Sequence, residues 1–343
     1  MGCAVKGIAM RLYRGPCRYG RELPEYPFGF RELFTRGIIV IQRKLQIPLS
    51  CKISKDNAAQ TIITGLESKA PFFAARFGTG EFEAAMRGFD ISSSGGLLKK
   101  TFRILIGKSG PFWWDNSIKA GLNNNAGFFP PTNEAMQKFS DLVIQDAQQI
   151  DILGTYSDMP SRFLKTILPQ AKFIPIFDLE PFWNTHHWTK CLQGKKVLVV
   201  HSMPDTIKSQ FAKRERLFHY HEILPEFELI TYRSVNSAMG LETGFPDWFS
   251  ALKKMEDDIA KIDFDIALLG CGAYGMNLGA FIKRDLGKSA LHLGGMLQLL
   301  FGIRGQRWDA VPQYQTLYTE AWTRPLPHEI PSRNQRIENG CYW

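Results

Sequence analysis

Residues 262–308 constrain the fold most, because they spell a strand, a glycine turn, a helix and a second strand in one run. Phe264 to Leu269 is a short apolar stretch that stops at Gly270-Cys271-Gly272-Ala273-Tyr274-Gly275. A helix-like segment then leads to a second apolar stretch, Ala290 to Leu293, and to Gly294-Gly295. That order makes a βαβ unit. Glycines at the C-terminal end of a strand let a ligand phosphate approach the backbone, and the next helix offers unpaired N–H groups and the positive end of its dipole. The same glycines also suit close packing of helix on sheet. Gly270, Gly272 and Gly275 satisfy G-x-G-x-x-G, the dinucleotide fingerprint, yet the second strand ends in His292-Leu293-Gly294-Gly295 with no carboxylate to hold a ribose. On the residues alone, a phosphate-bearing ligand, simple packing and NAD all stay open.

The same alternation recurs upstream. Asn57 to Lys69 reads as a helix, Pro71 to Phe77 as a buried strand that stops at Gly78-Thr79-Gly80-Glu81, and Glu81 to Arg87 as the start of the next helix. Met136, Phe139, Leu142 and Val143 recur at helical spacing between Asn133 and Gln149. Asp151 to Gly154, Ala171 to Phe177, Lys195 to His201 and Phe227 to Thr231 read as strands. Pro204 and Asp205 mark a helix running to about Tyr220, and Asp247 to Ile262 reads as another helix; Phe30 to Gln46 is a further candidate. Residues 90–131 read as loop-rich, and their Trp113, Trp114 and Asn123 to Asn125 suit either sugar recognition or the core. Strands rich in Val, Ile and Leu, alternating with helices, predict an α/β, Rossmann-like, doubly wound fold with a mainly parallel sheet.

Charge divides the chain. Of the net +9, residues 1–55 carry +8, from eleven Lys and Arg against Glu22, Glu25 and Glu32. A basic N-terminal extension, residues 1–56, is therefore expected ahead of a core domain at 57–310 and a tail at 311–343, and it suits contact with an anionic membrane surface. Nucleic acid is not expected as a partner. The six cysteines lie at 3, 17, 51, 191, 271 and 341, too scattered for a zinc motif or a disulfide framework, and no apolar run approaches the ~20 residues needed to span a bilayer. A cytoplasmic protein, peripheral to the inner membrane face, is the expectation.

Several motifs occur in a telling order: Arg76-x-Gly78-x-x-Glu81, Asn124-Asn125-Ala126-Gly127-Phe128-Phe129-Pro130, Val199-Val200-His201, Ala290 to Gly295, and Phe301-Gly302-Ile303-x-Gly305-x-Arg307-Trp308. With them the chain resembles bacterial GT-D-fold glycosyltransferases of surface polysaccharide synthesis, over roughly residues 57–310. The resemblance implies transfer of a sugar from a nucleotide-sugar donor to a glycan or other hydroxyl acceptor. It also implies a divalent cation, Mn²⁺ or Mg²⁺, on an Asp-x-Glu motif. Here Thr79 stands in place of the aspartate, leaving Glu81 as the one carboxylate and weakening a hard-cation site.

The residues expected to act are Glu81, Arg76 and His201 in catalysis, with Glu81 also the metal ligand. Gly78, Thr79, Gly80, Asn125, Ser202, Gly270, Gly272, Tyr274, His292, Gly294 and Gly295 are expected to hold the donor. His201 and His292 lie at strand ends, the ligand-facing positions of a doubly wound sheet. The loss at Thr79 motivates a second reading, a non-catalytic nucleotide-sugar-binding protein of the same fold. The glycine spacing alone motivates a third, an NAD-dependent oxidoreductase.

Overall fold

The computed structural model describes residues 55–343 apart from 94, 106–109, 157, 158, 160, 239, 240 and 333–339. The expected helix from Phe30 to Gln46 and nearly all of the basic segment lie outside the described residues. The strands are β1 (Phe73–Arg76), β2 (Ile152–Thr155), β3 (Lys172–Pro175), β4 (Lys196–His201), β5 (Glu228–Arg233), β6 (Ile266–Gly270) and β7 (Ser289–His292). They form one sheet in the order β3-β2-β1-β7-β6-β4-β5, parallel at every pairing. Among the described residues the helices of seven residues or more are α1 (Lys55–Glu67), α2 (Thr79–Ser92), α3 (Leu97–Leu105), α4 (Asn116–Ala126), α5 (Asn133–Ala147), α6 (Ser161–Ile167), α7 (Pro204–Phe211), α8 (Trp248–Ile259) and α9 (Tyr274–Arg284). None of the helices in the described residues is long and apolar enough to cross a membrane.

The sheet is buried on both faces. Val197, Leu198, Val199 and Val200 of β4 are all fully buried, although successive side chains point to opposite sides. Each such side chain gains about 1.5–3 kcal/mol from burial, so a bare face would forfeit half of the strand's share. One face is covered by α2, α4, α5, α6, α8 and α9, whose Phe82, Leu122, Phe139, Leu164, Trp248 and Leu278 share a core. The other is covered by α1, the turns between 176 and 192, α7 and the chain after β7, through Ile62, Leu179, Trp188, Ile207 and Leu300.

Local chemistry explains the helix starts. Thr132 caps α5 by accepting from Ala135 N, and Asp247 caps α8 by accepting from Ser250 N. The stretch expected to be loop contains α4. Its Asn- and Gly-rich sequence has low intrinsic helix preference. It is held instead by the Asp115 cap on Ile118 N, by left-handed Gly127 at its end, and by buried Ile118 and Leu122. The long helix expected from Pro204 to Tyr220 is broken into Pro204–Phe211 and Arg214–Leu217.

Strand order fixes where a ligand can enter. β1 runs into α2 on the first face, whereas its neighbour β7 runs into residues 294–300 on the second. Likewise β6 runs into α9 on the first face and its neighbour β4 into α7 on the second. Adjacent strands whose following elements part to opposite faces leave a crevice at their C-terminal ends. β1/β7 and β4/β6 are two such pairs, and Arg76, Gly294, His201 and Gly270 lie at them.

The segment after residue 310 packs into the core. Tyr314 and Trp322 are buried in the second-face core, and Cys341 is buried as well. Ile303 pairs with Thr323 in a parallel bridge, Trp322 Nε1 donates to Leu217 O, and Gln298 Nε2 donates to Tyr342 O. Glu329 reaches back to the start of α7, where its carboxylate accepts from Asp205 N, Thr206 N and the Thr206 hydroxyl. The segment lacks helical or strand periodicity, so its sequence looked like a tail. Glu329→Ala strips one acceptor group from three donors at a buried helix start and is expected to cost on the order of 2–4 kcal/mol. Urea unfolding measures it; a cost below about 0.5 kcal/mol would show that the segment is not integral.

Candidate functional site

The two crevices differ in what fills them. At β4/β6 the space is taken by protein. A Cβ on Gly270 would lie 2.7 Å from Cδ2 of His201, 3.0 Å from Gly294 O and 3.1 Å from Leu297 Cβ. Gly272, at φ +59°, faces Ala126 O, which would be 2.9 Å from its Cβ, and Ala273 N donates to the same carbonyl. Tyr274 is buried, stacked on Trp248 at 5.0 Å, with its hydroxyl 3.0 Å from Ser237 Oγ. Gly275 lies under the His292 ring and Gly295 under Tyr342. The glycine corner expected to admit a phosphate is thus closed by helix, carbonyl and ring.

At β1/β7 a small pocket remains, lined by Arg76, Ile176, Leu179, Glu180, Leu293 and Met296. Arg76 ends β1 half-buried. Its Nη2 donates to the Tyr156 hydroxyl at 2.7 Å, and Nε and Nη2 both approach Phe77 O at 3.3 Å. Gly294, at φ +61°, lies along the arginine, since its Cβ would stand 3.4–3.5 Å from Arg76 Cδ, Nε and Nη1. A side chain there would be strained and would crowd the guanidinium. Gly78, Thr79 and Gly80 carry the chain from β1 into α2, and Gly78 caps that helix without a side-chain acceptor.

Glu81 is buried in the first turn of α2, with its carboxylate folded back over Gly78; a Cβ on Gly78 would meet Oε2 at 2.1 Å. That is the posture of a glutamate at the third helical position reaching back toward its own cap. With Thr79 exposed, the corner offers one such carboxylate, which does not make a hard-cation ligand set. Among the described residues a group of three potential ligands occurs at Asp205, His328 and Glu329. There Arg233 Nη2 lies 2.7 Å from Asp205 and 3.3 Å from Glu329, so an arginine already neutralises the acids.

Both expected histidines are held neutral. His201 is buried, accepts from Met203 N at Nδ1, and is pushed down to about 4 by burial. Its proton therefore sits on Nε2, and a group of that acidity is a weak base at neutral pH. His292 is pushed down to about 3, by burial first and by the nearby Arg76 charge second; its Nδ1 lies 3.3 Å from Leu269 O, to which it donates. Asn125 is half-buried in the last turn of α4, and Ser202 follows β4 with its carbonyl accepting from Arg233; neither lines the pocket.

Of the six pocket residues the sequence singles out Arg76, and the ionisable one among the other five is Glu180. Glu180 follows β3 on a short 3₁₀ turn and is fully enclosed, accepting from Trp183 Nε1 at 2.5 Å and from the Tyr314 hydroxyl at 2.8 and 2.9 Å. Burial pushes it up to about 7; the Trp183 and Tyr314 hydrogen bonds and the Arg76 charge pull the other way. Its sequence signal was Asp178-Leu179-Glu180, an Asp-x-Glu spelled at the end of a strand.

Gly272→Val tests the closed corner. Left-handed backbone costs a β-branched residue about 1–2 kcal/mol, and the clash with Ala126 O adds to it. A loss of at least about 2 kcal/mol in unfolding free energy is expected, and an unchanged melting temperature contradicts the packing described. Comparison with known protein families, curated proteins and solved structures finds no match to this chain.

Proposed function

We propose that the protein is a glycosyltransferase of GT-D type that holds the diphosphate of a nucleotide-sugar donor in the β1/β7 crevice. The observation that carries this reading is the placement of Arg76. It ends the strand at a topological switch point, is braced by Tyr156 and Phe77 O, and has glycine backbone at its flank. In glycosyl transfer the bond from the anomeric carbon to phosphate breaks, its electron pair leaves with the nucleoside diphosphate, and the acceptor hydroxyl oxygen bonds to that carbon while losing its proton. Arg76 is positioned to neutralise the departing charge. The motifs shared with GT-D-fold enzymes support the choice of donor class. On this reading the acceptor is a glycan hydroxyl, and the basic residues 1–56 bring the enzyme to anionic lipid at the inner membrane face.

A second reading has its own observation. Glu81 folds back on Gly78 and Thr79 replaces the second carboxylate, which favours a protein that binds a sugar nucleotide without turnover. The dinucleotide reading loses its support, because the backbone that a pyrophosphate would approach at Gly270 and Gly272 is covered by His201, Leu297 and Ala126.

Calorimetric titration with UDP, GDP and CDP, each with and without Mn²⁺, is expected to find one that binds. Arg76→Met is expected to weaken it about 10–100-fold, the loss of one charge-assisted contact. If none binds, or if Arg76→Met binds equally well, the crevice is not the donor site. Glu81→Gln preserves the back-folded cap and removes the charge; a fall in turnover of the matching sugar nucleotide on the order of 10²-fold with little change in melting temperature assigns Glu81 a catalytic role, and unchanged turnover leaves it a cap. Absence of turnover in the wild type favours the binding protein.

A further inference from the structure

Glu180 is a buried acid that the proposed chemistry leaves unused, and it lines the same small pocket as Arg76. Its carboxyl group is fixed by Trp183 and Tyr314, so it cannot swing away from whatever enters. Three charged or titratable neighbours act on it: Arg76 from β1, Asp178 from its own turn, and Tyr314 from the C-terminal segment. Burial and Asp178 favour the neutral acid, while Arg76 and the two hydrogen bonds favour the carboxylate. The result is balanced near neutrality, at about 7. His292, which also feels Arg76, is already neutral and takes no part in that balance.

An anion docking on Arg76 upsets the balance in one direction. It cancels the positive field that helps keep Glu180 ionised and puts a second negative charge in a small, mostly apolar pocket beside Leu179, Leu293 and Met296. Two like charges sharing such a site do not both ionise. We propose that the pocket receives a phosphate-class oxyanion together with one proton, the anion on Arg76 and the proton on Glu180, which thereby turns from acceptor into hydrogen-bond donor to the bound anion. This rests on the reading of the crevice as an anion site and adds the residue that completes it. No covalent step is involved; the proton comes from solvent and returns to it on release.

The sign follows from linkage. In the free protein Glu180 is protonated below pH about 7, so binding there needs no further proton; above it, each anion bound must bring one. Inorganic sulfate is a suitable probe because it does not titrate in this range. Its affinity for the full chain, measured calorimetrically, should be highest below pH 7 and should fall by about tenfold per pH unit between roughly 7.5 and 9. Heats compared in two buffers of different ionisation enthalpy should show close to one proton taken up per sulfate at pH 8 and close to none at pH 5.5. Glu180→Gln should bind sulfate with no pH dependence and no uptake. The wild-type proton count stands as a test even if that variant fails to fold. Sulfate that binds wild type without proton uptake, or uptake that persists in Glu180→Gln, overturns the proposal while leaving the anion site standing. Sulfate that fails to bind, or binds Arg76→Met equally, overturns the anion site itself.

Discussion

A parallel sheet buried on both faces is the constraint from which the rest follows. Strands such as Val197 to Val200 have no polar face to turn to water, so the chain must return across the sheet at every step and lay cover on alternate sides. With the order β3-β2-β1-β7-β6-β4-β5, that covering scheme opens crevices at β1/β7 and β4/β6. Packing then decides between them. The end of α4 and the chain after β7 close over Gly270 and Gly272, while a gap with room for about one water remains beside Arg76.

The C-terminal edge of the sheet holds titratable groups where the surroundings are apolar. A half-buried guanidinium, two enclosed acids at Asp178 and Glu180, and two neutral histidines lie along the C-terminal edge of the sheet or in the turn beside it. Such an arrangement is costly to hold unless each group has partners, and the partners come from distant parts of the chain. Tyr156 after β2 braces Arg76, and Tyr314, from beyond residue 310, braces Glu180. The C-terminal segment therefore completes both the core and the site.

Much of the scaffold could be read from residues alone. Apolar runs located β1, β4, β6 and β7 to within a residue or two, and the spacing of Met136, Phe139 and Val143 located α5. What could not be read was what depends on distant neighbours. The glycines at 270, 272 and 275 were legible as a corner, but whether a phosphate or the Ala126 carbonyl lies against them is decided by where α4 ends. α4 itself was hidden, because Asn and Gly dominate a helix that tertiary contacts impose. Arg76 and Gly294 were picked out as site residues and do meet. Glu180 was not, since Asp178-Leu179-Glu180 gains meaning only once the sheet order brings β3 near β1.

The central claim is that the anion-binding centre lies between β1 and β7, on Arg76. A crystal soaked with inorganic pyrophosphate tests it directly. The account predicts difference density in the pocket of Arg76, Glu180 and Met296, with an oxygen within hydrogen-bonding distance, about 2.7–3.2 Å, of the guanidinium. Ordered pyrophosphate at the Gly270 to Gly275 corner beside His201, with the Arg76 pocket unchanged, would contradict it.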